Sequence, residues 1–382
     1  MNSGSGLTAA AGGESNGAAV TYRAEHVGSL LRPPELLDAR SAVSRGERSA
    51  EQLRDIENRA IATILETQRA IGMDVVSDGE FRRASWLTKL QEAVEGFIPQ
   101  RLQRVWKGGE GPQEVSVQTV GAKLRPKNRI YADEAAYLKT HARGPFKITI
   151  PGPMLYTLLG FRPGLTDRFY ASRAELLGEM TAILASEISS LVEEGVTYVQ
   201  IDDTSYSYFI SDERREYCRS LGVDPDEAFE QAIEADNVCF RAAKKPGVTT
   251  ALHICRGNNR GRWHSAGGYD PVAEMVFGSI AVDRLLLEYD SERAGTFEPL
   301  RFVPANKVVV LGLVSTKVRE LEARDELLRR IDEASRYVPI ERLAISPQCG
   351  FATISEGHPL THDDQWRKLQ LVVDVARRVW PR

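Results

Sequence analysis

A histidine and a cysteine stand at the end of a short apolar run, residues 249–254, and they are the side chains most suggestive of chemistry. His253 and Cys255 are two positions apart, and alternate residues of an extended strand project to the same side. An imidazole and a thiolate at that spacing can bind one metal ion. Strand-end residues with an ordinary structural role are the alternative, and the pair alone does not decide between the two.

Two further apolar runs also end in residues of metal-ligand type. Residues 285–287 are followed by Glu288, and residues 343–346 are followed three positions later by Cys349. Zinc favours four ligands drawn from imidazole, thiolate and carboxylate, and a set with thiolates suits it better than magnesium or calcium. The sequence therefore predicts a zinc site formed by His253, Cys255, Glu288 and Cys349.

Eight predicted strands alternate with helices and must position these side chains. The strands begin near residues 24, 73, 146, 197, 249, 284, 307 and 343, and the long helices are expected over 49–71, 172–194, 224–244, 318–336 and 362–379. This alternation favours a single (β/α)8 TIM barrel over an open doubly wound sheet. No glycine-rich nucleotide motif accompanies a strand.

The parallel strands of such a barrel all end at the same face, where barrel enzymes carry their active sites. Gly28-Ser29 forms a turn after the first predicted strand, and the N–H groups of such a turn can hold an anion such as a carboxylate. An ordinary strand-to-loop turn is the alternative. Glu80 lies in a dense group of charges that also fits a solvated loop, and Asp202 follows the fourth predicted strand.

Residues 87–145 interrupt the alternation of strands and helices. Residues 114–120 alternate between apolar and polar types, and residues 107–112 are rich in glycine. We interpret the region as an inserted β-ribbon or cap over the site, between the second and third strands, and not as a separate domain.

Composition places few other constraints on function. The chain has 382 residues, 42% of them hydrophobic, with a net charge of -4, which is enough for a sizeable core and gives no indication of a nucleic-acid or membrane-surface partner. No apolar run is long enough for a transmembrane helix. Four cysteines do not make a disulfide framework, so a cytoplasmic location is expected, with Cys218 and Cys239 structural. Residues 1–20 read as a disordered leader before a single domain, 21–382.

Taken together, these motifs resemble the cobalamin-independent methionine synthases, specifically their C-terminal catalytic barrel, which is related in fold to uroporphyrinogen decarboxylase. The resemblance extends over nearly the whole chain after the leader. It is carried by Val-Gly-Ser at 27–29, Asp-Gly-Glu at 78–80, Gln-Ile-Asp at 200–202, His-x-Cys at 253–255, Glu288, and Pro-x-Cys-Gly at 347–350.

The resemblance implies a methyltransferase in which the histidine, both cysteines and the glutamate bind Zn²⁺, which in turn coordinates the sulfur of homocysteine. It implies that Gly28 and Ser29 hold the carboxylate of the amino acid, and that Glu80 and Asp202 hold its ammonium group. The alkyl donor is then a methylfolate or a methyl-corrinoid.

Three departures from the family pattern bear on the donor. The family reads Ile-Asp-Glu-Pro where this chain has Asp203-Thr204 after Asp202, and two basic residues after the last cysteine are absent from 351–354. The tryptophan of the family's folate pocket is unmatched in 153–157. We therefore expect poor use of methyltetrahydrofolate polyglutamates.

Two other readings stay open. The pattern His-x-Cys-x-Gly-Asn at 253–258 also resembles epoxyalkane:coenzyme M transferase, in which a thiol carrying a sulfonate opens an epoxide. Retention of Glu80 and Asp202 favours an ammonium-bearing thiol, because carboxylates repel a sulfonate, whereas Arg82 and Arg256 suit one. A non-catalytic barrel stabilised by a closed, four-ligand zinc site is the third reading. The sequence does not predict an oligomeric state.

Overall fold

The computed structural model describes residues 22–355 and 358–381, so the predicted leader lies outside it. The described residues contain eight strands in two sheets. Two strands pair antiparallel, β1 (Val94–Val105) and β2 (Pro112–Pro126). The other six form one parallel sheet in chain order: β3 (Ile148–Pro151), β4 (Tyr198–Asp202), β5 (Thr249–Ile254), β6 (Arg284–Glu288), β7 (Val308–Val314) and β8 (Leu343–Pro347).

The six parallel strands confirm the α/β prediction and lie close to their expected positions. Every residue of β3, β4, β6 and β8 is buried. A parallel sheet is covered on both faces, and its strands are therefore continuous apolar runs of the kind that the sequence shows. The ribbon formed by β1 and β2 falls within residues 87–145.

The first two predicted strands are reduced to isolated pairs. Ala24 pairs with Ile345 of β8, and Val76 pairs with Phe146 just before β3, both in parallel. The amide of Asp74 donates to the Ala24 carbonyl at 3.0 Å, so the two segments are also joined to each other. The Asp74 carboxylate accepts from the amides of Arg23 and Ala24, at 2.6 and 2.9 Å. The Asp74 side chain therefore accepts the hydrogen bonds that a neighbouring strand would accept in a longer β-ladder.

Helices connect the strands and cover the sheet. They are α1 (Pro34–Ser44), α2 (Ala50–Ile71), α3 (Thr88–Ala93), α4 (Ala132–His141), α5 (Pro153–Gly160), α6 (Arg173–Glu193), α7 (Asp212–Ser220), α8 (Pro225–Ala242), α9 (Ala273–Ser279), α10 (Arg324–Ser335) and α11 (His362–Val379). Short 3-10 helices span Thr166–Arg168, Thr204–Tyr208, Glu292–Ala294, Glu298–Phe302 and Ile340–Arg342. None of the helices described is both long and apolar enough to cross a membrane.

Local sequence explains where the longest helix begins and ends. Ser49 caps α2 by accepting from the Gln52 amide at 3.1 Å, and the Gln52 side chain accepts from the Ser49 amide in return. Gly72 ends the helix in the left-handed conformation, with φ of 89°. The helix predicted over 318–336 starts later, at Arg324.

The buried apolar residues form two clusters. The larger one joins the helices to the outward-facing residues of the sheet. The smaller one takes one side chain from each of β4 to β8 and three from the amino-terminal segments: Tyr198, Ala251, Leu286, Val310, Ala344, Tyr22, Val27 and Val75. Side chains from all these segments thus meet on the inner side of the sheet.

Candidate functional site

Three side chains of metal-ligand type meet at the ends of β5 and β8. The ligand atoms of His253, Cys255 and Cys349 all lie within 4.8 Å of one another, and all three residues are buried. The two sulfurs are 3.3 Å apart. β5 supplies the histidine from its penultimate position, and Cys349 follows the last residue of β8 by two positions. The cluster joins positions 94 residues apart in the chain.

The backbone contact of His253 leaves its second ring nitrogen available to a metal. Its Nδ1 lies 3.1 Å from the Leu286 carbonyl oxygen, which can only accept, so Nδ1 carries the proton. The buried Nε2 has no hydrogen-bond partner among the described residues. Metal-bound histidines commonly donate their other ring N–H to a carbonyl in this way. This donor set therefore fits a zinc ion.

The two cysteines differ in how readily they lose a proton. The hydrogen bond from Cys349 lowers the pKa of Cys255 to about 5 against the opposing effect of burial, with help from His253. The same hydrogen bond and burial raise the pKa of Cys349. The Gly257 amide also donates to the Cys255 sulfur, at 3.0 Å. Cys255 therefore loses its proton more readily than Cys349, and the thiolate is the form that binds metal.

Glu288, the fourth predicted ligand, lies beside this group but outside it. Its carboxylate accepts from the Arg256 amide at 3.0 Å and from Arg293, and the Lys317 ammonium is 3.6 Å away. Burial opposes ionisation, but Lys317, Arg293 and Arg256 lower the pKa of Glu288 to about 2. The carboxylate is thus ionised and directed at cations, and its role as a ligand stays a prediction.

A cavity of about 190 Å³ opens onto the cluster. One water occupies roughly 30 Å³ in the liquid, so this space suits a small molecule. His253, Cys255 and Cys349 line it, as do three residues that the sequence analysis assigned to substrate: Ser29, Glu80 and Asp202. Gly28 packs directly against Glu80, because a Cβ at this glycine would be only 2.8 Å from the Glu80 Oε1.

The two carboxylates give the cavity an acidic side. Asp202 accepts from the Gln200 amide nitrogen at 2.7 Å, and burial together with the charge of Glu80 raises its pKa to about 7 against the influence of His253. Glu80 accepts from the Thr149 hydroxyl at 3.0 Å, whereas its buried Oε2 has no partner in the described part of the chain. A cation such as an ammonium group would relieve both the repulsion and the missing hydrogen bond.

The Gly28-Ser29 turn packs directly on the loop that carries Cys349. The Ser29 carbonyl accepts from the Phe351 amide at 2.8 Å, and its hydroxyl accepts from the Ala352 amide at 3.3 Å. A Cβ at Gly350 would lie 2.1 Å from the Ser29 hydroxyl, so only glycine permits this approach. The predicted carboxylate site and the cluster are therefore held together.

Sequence analysis missed four further residues of the cavity lining: Arg104, Trp106, Tyr208 and His264. Arg104 and Trp106 come from the β1 side of the ribbon, and the other two come from the segments after β4 and β5. Arg104 and Trp106 share the two-residue spacing of a strand, but no spacing along the chain connects them to Tyr208 or His264. The expectation of a ribbon over the site pointed to this region without identifying the residues.

Comparison with known proteins bears on this site. Residues 23–378 match the family described as the catalytic domain of cobalamin-independent synthase. The chain belongs to this family. It is 40% identical to YxjH of Bacillus subtilis over 94% of this chain and 95% of that protein. It is also 26% identical to a methionine synthase of Saccharolobus solfataricus, over 86% and 88% of the two chains.

A solved structure shows the same fold for this cobalamin-independent synthase family. It is of a Listeria monocytogenes protein assigned as a vitamin-B12-independent methionine synthase, with 30% identity and a TM-score of 0.71. The match covers 96% of this chain and 100% of that one. The family that the motifs implied is therefore confirmed, together with an α/β fold built on a parallel sheet.

Proposed function

We propose that this protein is a zinc-dependent methyltransferase that methylates the thiol of homocysteine. One observation carries the proposal: the buried group of His253, Cys255 and Cys349 opens onto a cavity whose other side carries Glu80 and Asp202. Family membership and the relatives named as methionine synthases support the same reaction.

The roles of the residues follow from their positions. His253, Cys255 and Cys349 would hold the metal, with Glu288 as the fourth ligand once its carboxylate leaves Arg293. Zinc, when bound, would keep the substrate sulfur as a thiolate at neutral pH. Glu80 and Asp202 would bind the ammonium group, and the Gly28-Ser29 turn the carboxylate. The amino acid would then be anchored at one end with its sulfur at the cluster.

The contacts of the two candidate sulfonate-binding arginines give no support to a sulfonate site at either of them. Arg82 pairs with Glu57 at 3.1 Å, and Arg256 donates to the Glu288 carbonyl and the Tyr269 hydroxyl. Neither arginine lines the cavity in the part of the chain that the structure describes. The open cavity beside the cluster likewise suits a catalytic zinc better than a closed structural one.

We also propose that the amino-terminal segments complete a closed (β/α)8 barrel and that the ribbon caps it. The pairs Ala24 to Ile345 and Val76 to Phe146, together with the hydrogen bond between Asp74 and Ala24, support closure. The inner cluster fits the packed interior of such a barrel. The ribbon contributes Arg104, Trp106, Val115 and Val117 to the cavity lining.

Metal analysis and X-ray absorption test the proposal. Protein prepared with ample zinc should hold one zinc per chain, and Cys255→Ser or Cys349→Ser should lose it. Cys218→Ser is the matched control, because Cys218 is equally buried but lies in α7. Homocysteine should add a sulfur to the metal shell. A shell that stays unchanged at saturating homocysteine would support a purely structural zinc.

The methyl donor is tested separately by product. Homocysteine is incubated with the zinc-loaded protein and either methyltetrahydrofolate or a methyl-corrinoid, and methionine is measured by mass spectrometry. Because the family's folate-pocket tryptophan is unmatched, we expect little product with the triglutamate form of the folate. Rapid turnover with that form would contradict this expectation.

A further inference from the structure

Glu80 reaches the cavity from a turn that holds its backbone in an unusual conformation. We call residues 78–81 the Glu80 turn, which is closed by a hydrogen bond from the Phe81 amide to the Asp78 carbonyl at 3.3 Å. Its two central residues, Gly79 and Glu80, have positive φ values of 65° and 59°. Glycine adopts this left-handed conformation freely, but a glutamate adopts it rarely. Other contacts must therefore hold Glu80 in place.

The side chain of Asp78 stabilises this conformation directly. Its Oδ1 accepts from the Glu80 amide at 2.9 Å, and the residue is buried. Aspartate commonly bonds in this way to the amide two positions ahead, which fixes the backbone between them. The Ser77 hydroxyl oxygen accepts from the other central amide, that of Gly79, at 3.0 Å. Asp78 is not among the described residues that line the cavity, so its effect on a ligand must pass through Glu80.

Arg32 joins the same turn to the loop that carries Cys349. This buried guanidinium donates to three main-chain carbonyls, those of Glu80 at 3.1 Å, Arg83 at 3.0 Å and Ala352 at 3.0 Å. A guanidinium is planar and carries its N–H groups in a fixed arrangement, so it holds these carbonyls at set distances. The Glu80 turn and the Cys349 loop are thus connected through one rigid group.

The carboxylate of Glu80 has fewer contacts than its backbone. The Thr149 hydroxyl donates to Oε1 at 3.0 Å, and the Arg83 guanidinium lies 3.7 Å from the same oxygen. That guanidinium is paired at 2.6 Å with Glu134, which balances its charge. Because Oε2 has no partner in the described part of the chain, its direction depends on where the turn places the Glu80 backbone.

We propose that Asp78 and Arg32 are positioning residues for Glu80. Asp78 would hold the Glu80 backbone in the left-handed conformation, and Arg32 would hold the turn at a fixed distance from Cys349. The inference rests on the proposed function, in which Glu80 binds the ammonium group of homocysteine while the metal cluster binds its sulfur. The two contacts would then set the separation between these binding groups, and with it the length of thiol that fits both.

Two thiols that differ only in the ammonium group test the proposal. Homocysteine and 4-mercaptobutyrate share the carbon chain, the thiol and the carboxylate, and only homocysteine has the amino group. Calorimetric titration of the zinc-loaded protein with each thiol gives a preference, defined as the ratio of the two affinities. A change that merely loosens the protein lowers both affinities, whereas a misplaced Glu80 lowers the preference.

Substitutions at Asp78 should change this preference in a graded way. Asp78→Ala should reduce it roughly 3- to 10-fold, because the Glu80 amide loses its hydrogen bond. Asp78→Asn keeps an oxygen that can accept from this amide and should keep most of the preference. In a Glu80→Gln background, Asp78→Ala should have little further effect, because the two residues act through one contact. Asp224→Ala is the matched control and should behave like the parent, because its Oδ1 accepts from the Asp226 amide at 2.9 Å but at the start of α8.

Arg32→Lys tests the second contact without changing the turn itself. An ammonium group cannot bond all three carbonyls in the arrangement that a guanidinium allows, so the preference should again fall roughly 3- to 10-fold. The preference for homocysteine over cysteine, whose chain is one carbon shorter, should fall as well. Arg342→Lys is the control, because Arg342 donates to the carbonyls of Pro304 and Lys307, before β7 begins.

The preference of the parent separates this inference from the proposed function. If the parent prefers homocysteine, and Asp78→Ala and Arg32→Lys both keep that preference, the positioning roles are wrong and the proposed function stands. A loss of preference in Asp78→Asn as large as in Asp78→Ala would also contradict the role of Asp78. If Asp78→Ala does not fold, the preference of Arg32→Lys decides in its place. A parent that binds both thiols equally would contradict the proposed ammonium site, and the positioning roles would be wrong with it.

Discussion

At the scale of single residues, the site combines buried groups that each lack something a ligand can supply. Neither the Nε2 of His253 nor the Oε2 of Glu80 has a hydrogen-bond partner assigned among residues 22–355 and 358–381. Asp202, with its pKa raised to about 7 mainly by burial, gains from a nearby positive charge. A metal would meet the first requirement and an ammonium group the other two, as the proposed binding of zinc and an amino-acid thiol in one cavity requires.

Asp202→Asn and Glu80→Gln test how the thiol is recognised. A hydrogen bond to a charged group contributes about 1.5–3 kcal/mol, so each change should weaken homocysteine binding roughly 10- to 150-fold, as measured by calorimetry. Zinc content should be unchanged, and coenzyme M binding should be equal or stronger. Asp203→Asn is the control, because Asp203 is buried next to Asp202 but does not line the cavity. If both test variants bind homocysteine like the parent, the proposal that Glu80 and Asp202 bind an amino-acid thiol is wrong.

A buried acidic pair near the site predicts a pH effect on stability. Burial raises the pKa of Asp203 to about 6 and, with the charge of Asp203, raises that of Asp236 well above its usual value. An unfolded aspartate has a pKa near 3.9, so the unfolded state loses these protons first. The folded state therefore loses stability, relative to the unfolded state, as pH rises through 4 to 6 and beyond.

Asp236→Asn measures this contribution. The amide can still accept from the Tyr206 hydroxyl, now 2.9 Å from the carboxylate, but carries no proton to lose. The free energy of unfolding of the variant, minus that of the parent, should rise by about 1–3 kcal/mol between pH 4 and 7 in urea titrations. Asp55→Asn, at an exposed position in α2, should show no such trend. If the difference for Asp236→Asn does not change with pH, the acidic pair is not the cause of the pH-dependent loss of stability.

At the scale of elements, the ribbon is fastened to the loop that follows β5. The amide of Lys107 donates to the Trp263 carbonyl at 2.7 Å, and the amide of Trp263 donates back at 3.1 Å. The Asn259 side chain also reaches Gln113, at 2.9 Å. The loop that carries Cys255 is thus bonded to the ribbon, which contributes residues to the cavity lining.

Gly108→Ala should detach the ribbon tip. A Cβ at Gly108 would lie 2.3 Å from the Trp263 ring, whereas a Cβ at Gly111 would meet nothing within 4 Å. Both glycines have positive φ, 79° and 66°, so Gly111→Ala carries similar backbone strain without the clash. In metal-free protein, alkylation of Cys255 and Cys349, followed by peptide mass spectrometry, should be faster in Gly108→Ala alone. Equal rates in both variants would mean that the docking does not shield the cavity.

At the scale of the whole molecule, one buried glutamate joins the start of the described chain to the sheet. Glu25 accepts from Arg284 of β6 at 2.7 Å, from Lys147 at 3.1 Å and from the Tyr198 hydroxyl of β4 at 2.8 Å. Burial opposes its charge, but Arg284 and Lys147 lower its pKa to about 2. The network secures the amino-terminal segment, on which the Gly28-Ser29 turn depends.

Glu25→Gln should be strongly destabilising because it leaves two buried cations without their anion. Breaking a buried ion pair in this way costs about 3–5 kcal/mol, measurable by chemical denaturation. Glu35→Gln, which removes an exposed pair with Arg59 at 3.1 Å, should change stability very little. A cost for Glu25→Gln as small as that of the control would mean that the segment is held by apolar packing alone.

The sequence by itself determined the parallel strands and the nearest ligands. Buried strands such as β4 and β6 are continuous apolar runs, and helix ends such as Ser49 and Gly72 are set by their own neighbours. His253 and Cys255 share a side because the strand period is two residues. The resemblance to methionine synthases is also visible in the sequence, because the motifs that carry it are short and local.

Tertiary structure decided what depends on residues far apart in the chain. The sulfurs of Cys349 and Cys255 are 3.3 Å apart although the residues are separated by 94 positions. The Asp74 carboxylate accepts from amides that would otherwise have extended the first strand. Glu288 is drawn toward Arg293, and Trp106 meets His264 only where the ribbon docks. Such contacts leave no periodicity in the sequence, because they are set by how loops pack over the sheet.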